Sequence, residues 1–360
     1  MPETQSSPLE PNLYDMSEQD ITALLAEWGQ PTYRARQVIE WLYKHKARTI
    51  DEMTTLPKGL RDELAEHTRL GVLEPVSEIF STDAQTVKRL FRLPDGQLIE
   101  SVLMDYESGR RTACISTQAG CAMGCVFCAT GQMGFARNLS SGEIVEQALW
   151  FARELEGNGE RLSNVVLMGM GEPLHNYDNT LRAIRTLTAG DGVGIGQRHI
   201  TMSTVGLVPA IKRFADEGLQ ATLAVSLHAA TDEERSKLLP INRRYPLAEL
   251  LDAVRYYLEK TGRRVTFEWA LIRGENDTIE QARRLGQLLH GLLCHVNMIP
   301  LNPTGGYGGA PSDPERVAAF QTELSQWGVT STVRVRRGID IQAGCGQLKA
   351  EVVRRTKGEA

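Results

Sequence analysis

Beyond Arg111 the chain alternates short apolar runs with longer amphipathic ones, and that alternation most constrains its fold. It predicts strands near Thr112–Ser116, Asn164–Met168, His199–Ser203, Ala221–Ser226, Val265–Leu271 and Val296–Pro300. Helices are predicted between them, near Ser141–Glu154, Asn179–Thr188, Val208–Glu217, Leu247–Lys260 and Thr278–Leu289. Strands and helices at this spacing make right-handed βαβ units, and hence a parallel sheet covered by helices. Six units are too few to close an eight-fold barrel, so an open α/β barrel is expected. A last helix, near Pro314–Trp327, and a strand, near Thr332–Val335, lead to a loop carrying Cys345.

Upstream of the barrel the pattern differs. Residues 1 to 12, rich in Pro, Ser and Glu, read as a disordered lead-in. Ser17 then stands as N-cap before Ile21, Leu24, Leu25 and Trp28, and Gly29 stops that helix. Further helices are expected near Tyr33–Lys46 and, after Pro57, near Lys58–Glu66. From Val76 the pattern becomes alternating, and Pro94-Asp95-Gly96 marks a turn between two strands. The expected layout is a helical domain over 1–75, a β-hairpin extension over 76–106, the barrel core over 107–345 and a tail over 346–360.

With 360 residues and no stretch of about 18 apolar ones, a cytosolic protein is expected. The polar start, Met1 to Asn12, does not look like a signal peptide. A net charge of −5 neither announces nor excludes nucleic-acid binding. Local basic groups recur at Arg34, Arg36, Lys44, Lys46 and Arg48, at Arg110 and Arg111, and at Arg334, Arg336 and Arg337. Each group alone reads as a solvated face or as a contact for RNA phosphates.

In parallel α/β folds the chemistry gathers beyond the carboxyl ends of the strands. Four of the six cysteines lie between Cys114 and Cys128, where the first barrel strand ends. Cys121, Cys125 and Cys128 have C-x3-C-x2-C spacing on a glycine-bearing loop, which can turn three thiolates inward. Cys114 lies too far back along the chain to serve as the fourth ligand of that loop, so a three-thiolate [4Fe–4S] cluster with one open iron is favoured over zinc. The other strands end at Gly171-Glu172, Ser203, Ser226-Leu227-His228 and Asn302. Singly, Gly171 could be a tight turn, Ser203 a cap and His228 a satisfied core histidine. Together they look like a ligand pocket, whereas Cys294 is expected to be a core cysteine.

The cysteine loop, with Phe127 before its last cysteine, resembles the signature of radical S-adenosylmethionine (SAM) enzymes, in which the open iron chelates SAM. That resemblance implies that Gly171, Glu172, Ser203, Ser226, Leu227, His228 and Asn302 bind SAM. The fuller set, C-x3-C-x-F-C, GMGEP at 169–173, SLHA at 226–229, PLNP at 300–303 and GCGQL at 344–348, resembles the RlmN/Cfr family of RNA adenine methyltransferases over nearly the whole chain.

The family resemblance implies a radical SAM partial (βα)6 barrel, two SAM molecules per turnover, and methylation of adenosine C2 in 23S rRNA and in tRNA. It also implies Cys345 as methyl acceptor, a 5′-deoxyadenosyl radical, Cys114 as resolving thiol through a transient disulfide, and Glu100 as proton acceptor among apolar neighbours. A flavodoxin or ferredoxin would reduce the cluster, and the chain would act as a monomer. The alternatives are Cfr-like C8 methylation and a non-catalytic iron–sulfur RNA-binding or sensor protein, which would have no use for Cys114 and Cys345.

Overall fold

A computed structural model describes residues 10–350. Its strands are β1 (Glu74–Phe80), β2 (Thr86–Arg92), β3 (Leu98–Asp105), β4 (Arg111–Cys114), β5 (Gln118–Gly120), β6 (Phe135–Asn138), β7 (Asn164–Leu167), β8 (Ile200–Thr204), β9 (Thr222–Ser226), β10 (Val265–Leu271), β11 (Cys294–Pro300) and β12 (Ser331–Val333). All but β5 and β6 join one sheet, in the order β1-β2-β3-β4-β7-β8-β9-β10-β11-β12. From β4 to β12 neighbouring strands are parallel, as the βα alternation predicts. The order has β1 and β12 at its two ends, so the barrel is open.

Two expectations about the periphery change. The predicted hairpin extension is an antiparallel run of three strands that continues the barrel sheet, with Val102 of β3 opposite Cys114 of β4. The interior of β3 is buried throughout. A strand with both faces covered belongs inside a sheet rather than in an exposed linker. Within the expected disordered stretch, residues 1–9 lie outside the described residues. Pro11 and Asn12, however, pair with Arg69, whose N–H reaches the Pro11 carbonyl at 2.9 Å.

The N-terminal helices, Glu18–Glu27, Tyr33–Ile39 and Lys58–His67, form near the predicted places. Ser17 caps the first, in a reciprocal box with Asp20. The second widens at Glu40–Lys44 into a π-turn, where the His45 N–H reaches the Glu40 carbonyl at 3.0 Å. Leu13, Ile21 and Leu42 are fully buried in the same apolar core as Ile144 and Leu149 of the barrel helix Ser141–Gly157. Each such side chain contributes about 1.5–3 kcal/mol on burial, so the two regions stabilise one another.

Polar contacts fix the orientation. Asp15 accepts the Gly142 N–H at 2.6 Å, which sets a carboxylate against the positive end of that barrel helix. Glu146 accepts the Val72 and Leu73 N–H groups, and burial pushes its carboxyl up to about 7. Arg153 donates to the Lys46 and Ala47 carbonyls. Among the described residues no helix is long and apolar enough to cross a membrane.

Candidate active site

The cysteine loop is framed by the small β5–β6 ladder, which the sequence pattern does not announce. Gly120 has φ +74°, and a Cβ there would lie 2.0 Å from the Gly134 carbonyl oxygen, so the frame closes only around glycine. The Cys121 N–H donates to that carbonyl, and the Val126 N–H donates to Leu238, tying the loop to the segment after β9. Arg235 lies fully buried in that segment. It donates to the carbonyls of Val205, Ser226 and Leu227 and to the Asn242 side chain. It thereby ties together the loop ends of β8 and β9.

Two cavities meet at the carboxyl ends of the strands. The larger, of about 950 Å³, is lined by Cys121, Cys125 and Cys128 on one side and by Gly171, Glu172, Ser203, Ser226, His228 and Asn302 on the other. All but one of the predicted SAM-binding residues therefore converge. The exception is Leu227, which is fully buried in the apolar core and does not line the cavity. Successive strand residues point to opposite faces, so Ser226 faces the cavity and Leu227 does not.

The polar groups are preset. Glu172 accepts the Leu174 and Val205 N–H groups at 3.0 and 2.8 Å, and burial pushes its carboxyl up to about 7. Gly171 sits at φ +101°, and a Cβ there would come within 2.6 Å of Gln118. His228 has φ +60°, a strained conformation for a non-glycine residue. It is held by the Ala270 N–H donating to its Nδ1 at 2.8 Å and by Asn276 donating to its carbonyl. Burial pulls its pKa down to about 3, so the ring is neutral, and an accepting Nδ1 puts the proton on Nε2. The ring is thus hydrogen-bonded within the core and also on the wall of the cavity.

Sequence reasoning missed Glu268. It lies on β10 opposite Ser226 and Asn297, lines the larger cavity and accepts the Asn297 side-chain amide at 2.7 Å. Burial raises its pKa, and Arg334 opposes the rise. A charged residue inside the apolar run Val265–Leu271 was the available sign.

The smaller cavity, of about 520 Å³, holds Cys114 and Cys345 together with Met104, Met168, Ile299, Asn302 and Arg334. Cys345, Asn302, Met168 and Ile299 line both cavities, so Cys345 stands at their junction. Its loop is anchored rather than loose. Asn302 donates to the Cys345 carbonyl at 3.1 Å, the Ala129 N–H donates to Gly346, and the Thr130 hydroxyl donates to Leu348. Burial pushes the Cys114 thiol up to about 12. Arg334, expected on a solvated basic face, donates instead to the Cys345 sulfur at 3.2 Å.

Glu100 lines neither cavity. It is 2% exposed, and its setting is not the apolar one expected, because Lys88, also buried, stands 3.0 Å from its carboxylate. β2 and β3 are adjacent, and their alternation turns both charged side chains inward. The second Glu100 oxygen accepts the Lys349 N–H at 2.9 Å, next to Leu348 of the cavity wall. Cys294 is buried at the start of β11, as expected.

Comparison with known proteins agrees with this geometry. Residues 115–286 match the Radical SAM superfamily, and residues 11–70 match the Ribosomal RNA large subunit methyltransferase N-terminal domain. The chain is 58% identical to Dual-specificity RNA methyltransferase RlmN 1 of Myxococcus xanthus, over 96% of each chain. It is 50% identical to a Probable dual-specificity RNA methyltransferase RlmN of Chloroflexus aurantiacus, over 93% of this chain and 92% of that one. A solved radical SAM methyltransferase from Sphaerobacter thermophilus superposes with a TM-score of 0.92 at 51% identity, covering 95% of this chain and all of the other. With the barrel, the cysteine loop and the paired thiol cavity in place, these identities over nearly full length show that the chain belongs to the RlmN family of radical SAM RNA methyltransferases.

Proposed function

We propose that this enzyme methylates C2 of an adenosine in the peptidyl-transferase region of 23S rRNA and of the adenosine 3′ to the anticodon in tRNA, with Cys345 as the intermediate methyl carrier. The observation that carries the reading is the position of Cys345, at the junction between the cavity of the cluster cysteines and the cavity of Cys114. A sensor or passive RNA-binding protein needs no such thiol pair.

Cys121, Cys125 and Cys128 would hold a [4Fe–4S] cluster. The fit is chemical as well as spatial. Burial pushes all three thiols up, Cys121 to about 12, so thiolates there need a positive centre to offset desolvation. Three thiols on the wall of one cavity, beside polar groups that could take a ligand, suit a cluster with one open iron.

The opposite wall would hold SAM. Glu172 would face its ammonium group, and Ser203, Ser226, His228 Nε2–H and Asn302 would face its carboxylate and ribose. Among the described residues the buried Asn302 Oδ1 has no partner, and Asn302 lines this cavity, as a ligand acceptor would require. Held there by Cys121, Cys125 and Cys128 and by the polar wall, and reduced by an external donor such as flavodoxin or ferredoxin, the cluster and SAM would supply the one-electron chemistry that makes an unactivated C–H bond reactive.

The residues then divide the work. Cys345 carries the methyl group to the adenine, the apolar wall of Met104, Met168 and Ile299 excludes water, and Cys114 stands in the same cavity to resolve the thioether. Glu100 would accept the C2 proton. To do so it must exchange the Lys349 N–H for the substrate, while Lys88 keeps a positive charge beside it. Nucleoside mass spectrometry of RNA treated with reconstituted enzyme tests the assignment. The expected product is 2-methyladenosine in both RNAs, and 8-methyladenosine would overturn the C2 reading.

The helical region over 1–75 would hold RNA. Arg36 and Lys44 are solvent-exposed although each lies near a carboxylate, and Tyr33 is 55% exposed with the Arg34 guanidinium 4.9 Å from its ring centre. Because this region shares the barrel's core, point substitutions probe it better than truncation. The Lys44→Glu, Arg48→Glu double variant should bind tRNA several-fold more weakly, with a salt dependence shallower by about 1 in slope for each phosphate no longer neutralised. Unchanged affinity and slope in a filter-binding titration would leave the domain as packing only.

A further inference from the structure

We infer that Arg334 is a positioning residue that aims the Cys345 sulfur for methyl acceptance, favours negative charge on it as it becomes a nucleophile, and lets go of it once it is methylated. The inference rests on the reading of Cys345 as methyl carrier.

Arg334 follows β12, and its own N–H is spent on the Met298 carbonyl at 2.8 Å, which fixes its backbone beside β11. Its Nη1 donates to Cys345 Sγ at 3.2 Å inside a cavity walled by Met104, Met168 and Ile299. A guanidinium offers only donors and stays charged, so the sulfur must be the acceptor, and a thiolate accepts far better than a thiol. The chief influence raising the Arg334 pKa is Cys345, with Glu268 next among the favourable ones. The other sulfur of the cavity differs, since burial dominates at Cys114 and favours its neutral thiol.

The step balances without an added reagent. Cys345 sulfur attacks the methyl carbon of SAM, a sulfur–carbon bond forms as the methyl–sulfonium bond breaks, and the electron pair leaves with S-adenosylhomocysteine. Thiolate and sulfonium charges cancel, and no proton moves. The product thioether is neutral and a weak acceptor, so its hold on Arg334 fails. Arg334 then keeps Glu268, on the wall of the larger cavity, as a nearby carboxyl that favours its charge. Release of the sulfur at that moment frees the S-methyl group to turn toward the cluster side of the junction.

Peptide-resolved iodoacetamide labelling of the unmethylated Cys345 fraction at pH 7, in cluster-loaded protein kept anaerobic, tests the first half. Arg334→Gln should slow labelling about tenfold, and Arg334→Lys should restore part of the rate. A purely packing role predicts the opposite sign, because loosening the cavity would speed labelling; faster or unchanged labelling therefore overturns the inference. In protein isolated from cells, mass spectrometry should show S-methyl-Cys345 in the wild type and a several-fold smaller fraction in Arg334→Gln. Equal fractions would overturn it too. Absence of the S-methyl group in wild type would instead overturn the carrier role of Cys345, leaving the labelling arm to decide whether Arg334 stabilises its thiolate.

Discussion

Cys114→Ala should accumulate a covalent protein–RNA species, whereas Cys345→Ala should form none. The contrast follows from where the two sulfurs stand and what surrounds each. Cys345 is at the junction of the cavities with Arg334 on its sulfur, so it can take a methyl group and meet the adenine. Cys114, at the end of β4, lines only the smaller of the two cavities. In the proposed mechanism it would become useful after the carbon–sulfur bond to adenine exists, when it would attack the Cys345 sulfur, form a disulfide and release the methylated base. Without it the tether has no exit, so most of the enzyme that has turned over should stay attached to RNA. Trimming one buried sulfur costs about 1 kcal/mol, too little to unfold the barrel. A denaturing gel of each variant from cells reads the outcome as a nuclease-sensitive slow band for Cys114→Ala alone. An adduct in neither variant would defeat this division of labour while leaving the family membership intact.

What could be read from the sequence depended on whether a residue's role is set locally. Strand β10 is Val265–Leu271 as predicted, because a β-branched and aromatic run between a glycine stop and a glycine turn leaves little choice of boundaries. The pocket was legible because a parallel barrel delivers every strand end to one face, so Glu172, Ser203, Ser226, His228 and Asn302 had to be neighbours. Leu227 was included by proximity in sequence and excluded by the pleat.

Roles set by distant partners stayed hidden. Glu100 looked apolar because its chain neighbours are apolar, yet its real neighbours are Lys88 across the strand pair and Lys349 from the far end of the chain. Arg334 belonged by composition to a basic cluster, and only folding shows it facing a sulfur while Arg337 and Arg110 lie over the Tyr106 ring. Arg235 sits in a run of charged residues that reads as a surface helix, although it is fully buried and bound to three carbonyls. The N-terminal helices were recognisable from caps and periodicity, but their shared core with Ser141–Gly157 depends on Asp15 and Glu146 contacts that no local pattern encodes.

Replacing Cys121, Cys125 or Cys128 by Ala should each remove the cluster, and with it the visible charge-transfer absorbance and reductive SAM cleavage. In the proposed site three ligands would already leave one iron open, and a second open iron on the buried loop would expose cluster chemistry that the protein cannot satisfy. The thiols have no other partner strong enough to offset their burial, so a partly liganded site has little to hold it. The structure adds one complication that spacing alone did not reveal: Cys345 lines the same cavity and is a candidate substitute ligand. Its sulfur is held by Arg334 and its carbonyl by Asn302, which oppose that move. Each single variant should therefore be colourless, and pairing it with Cys345→Ala should change nothing further. Iron and sulfide analysis with the visible spectrum decides between the outcomes. A cluster that survives in Cys128→Ala but vanishes when Cys345→Ala is added would show substitution by Cys345. One that survives both changes would remove Cys128 from the ligand set.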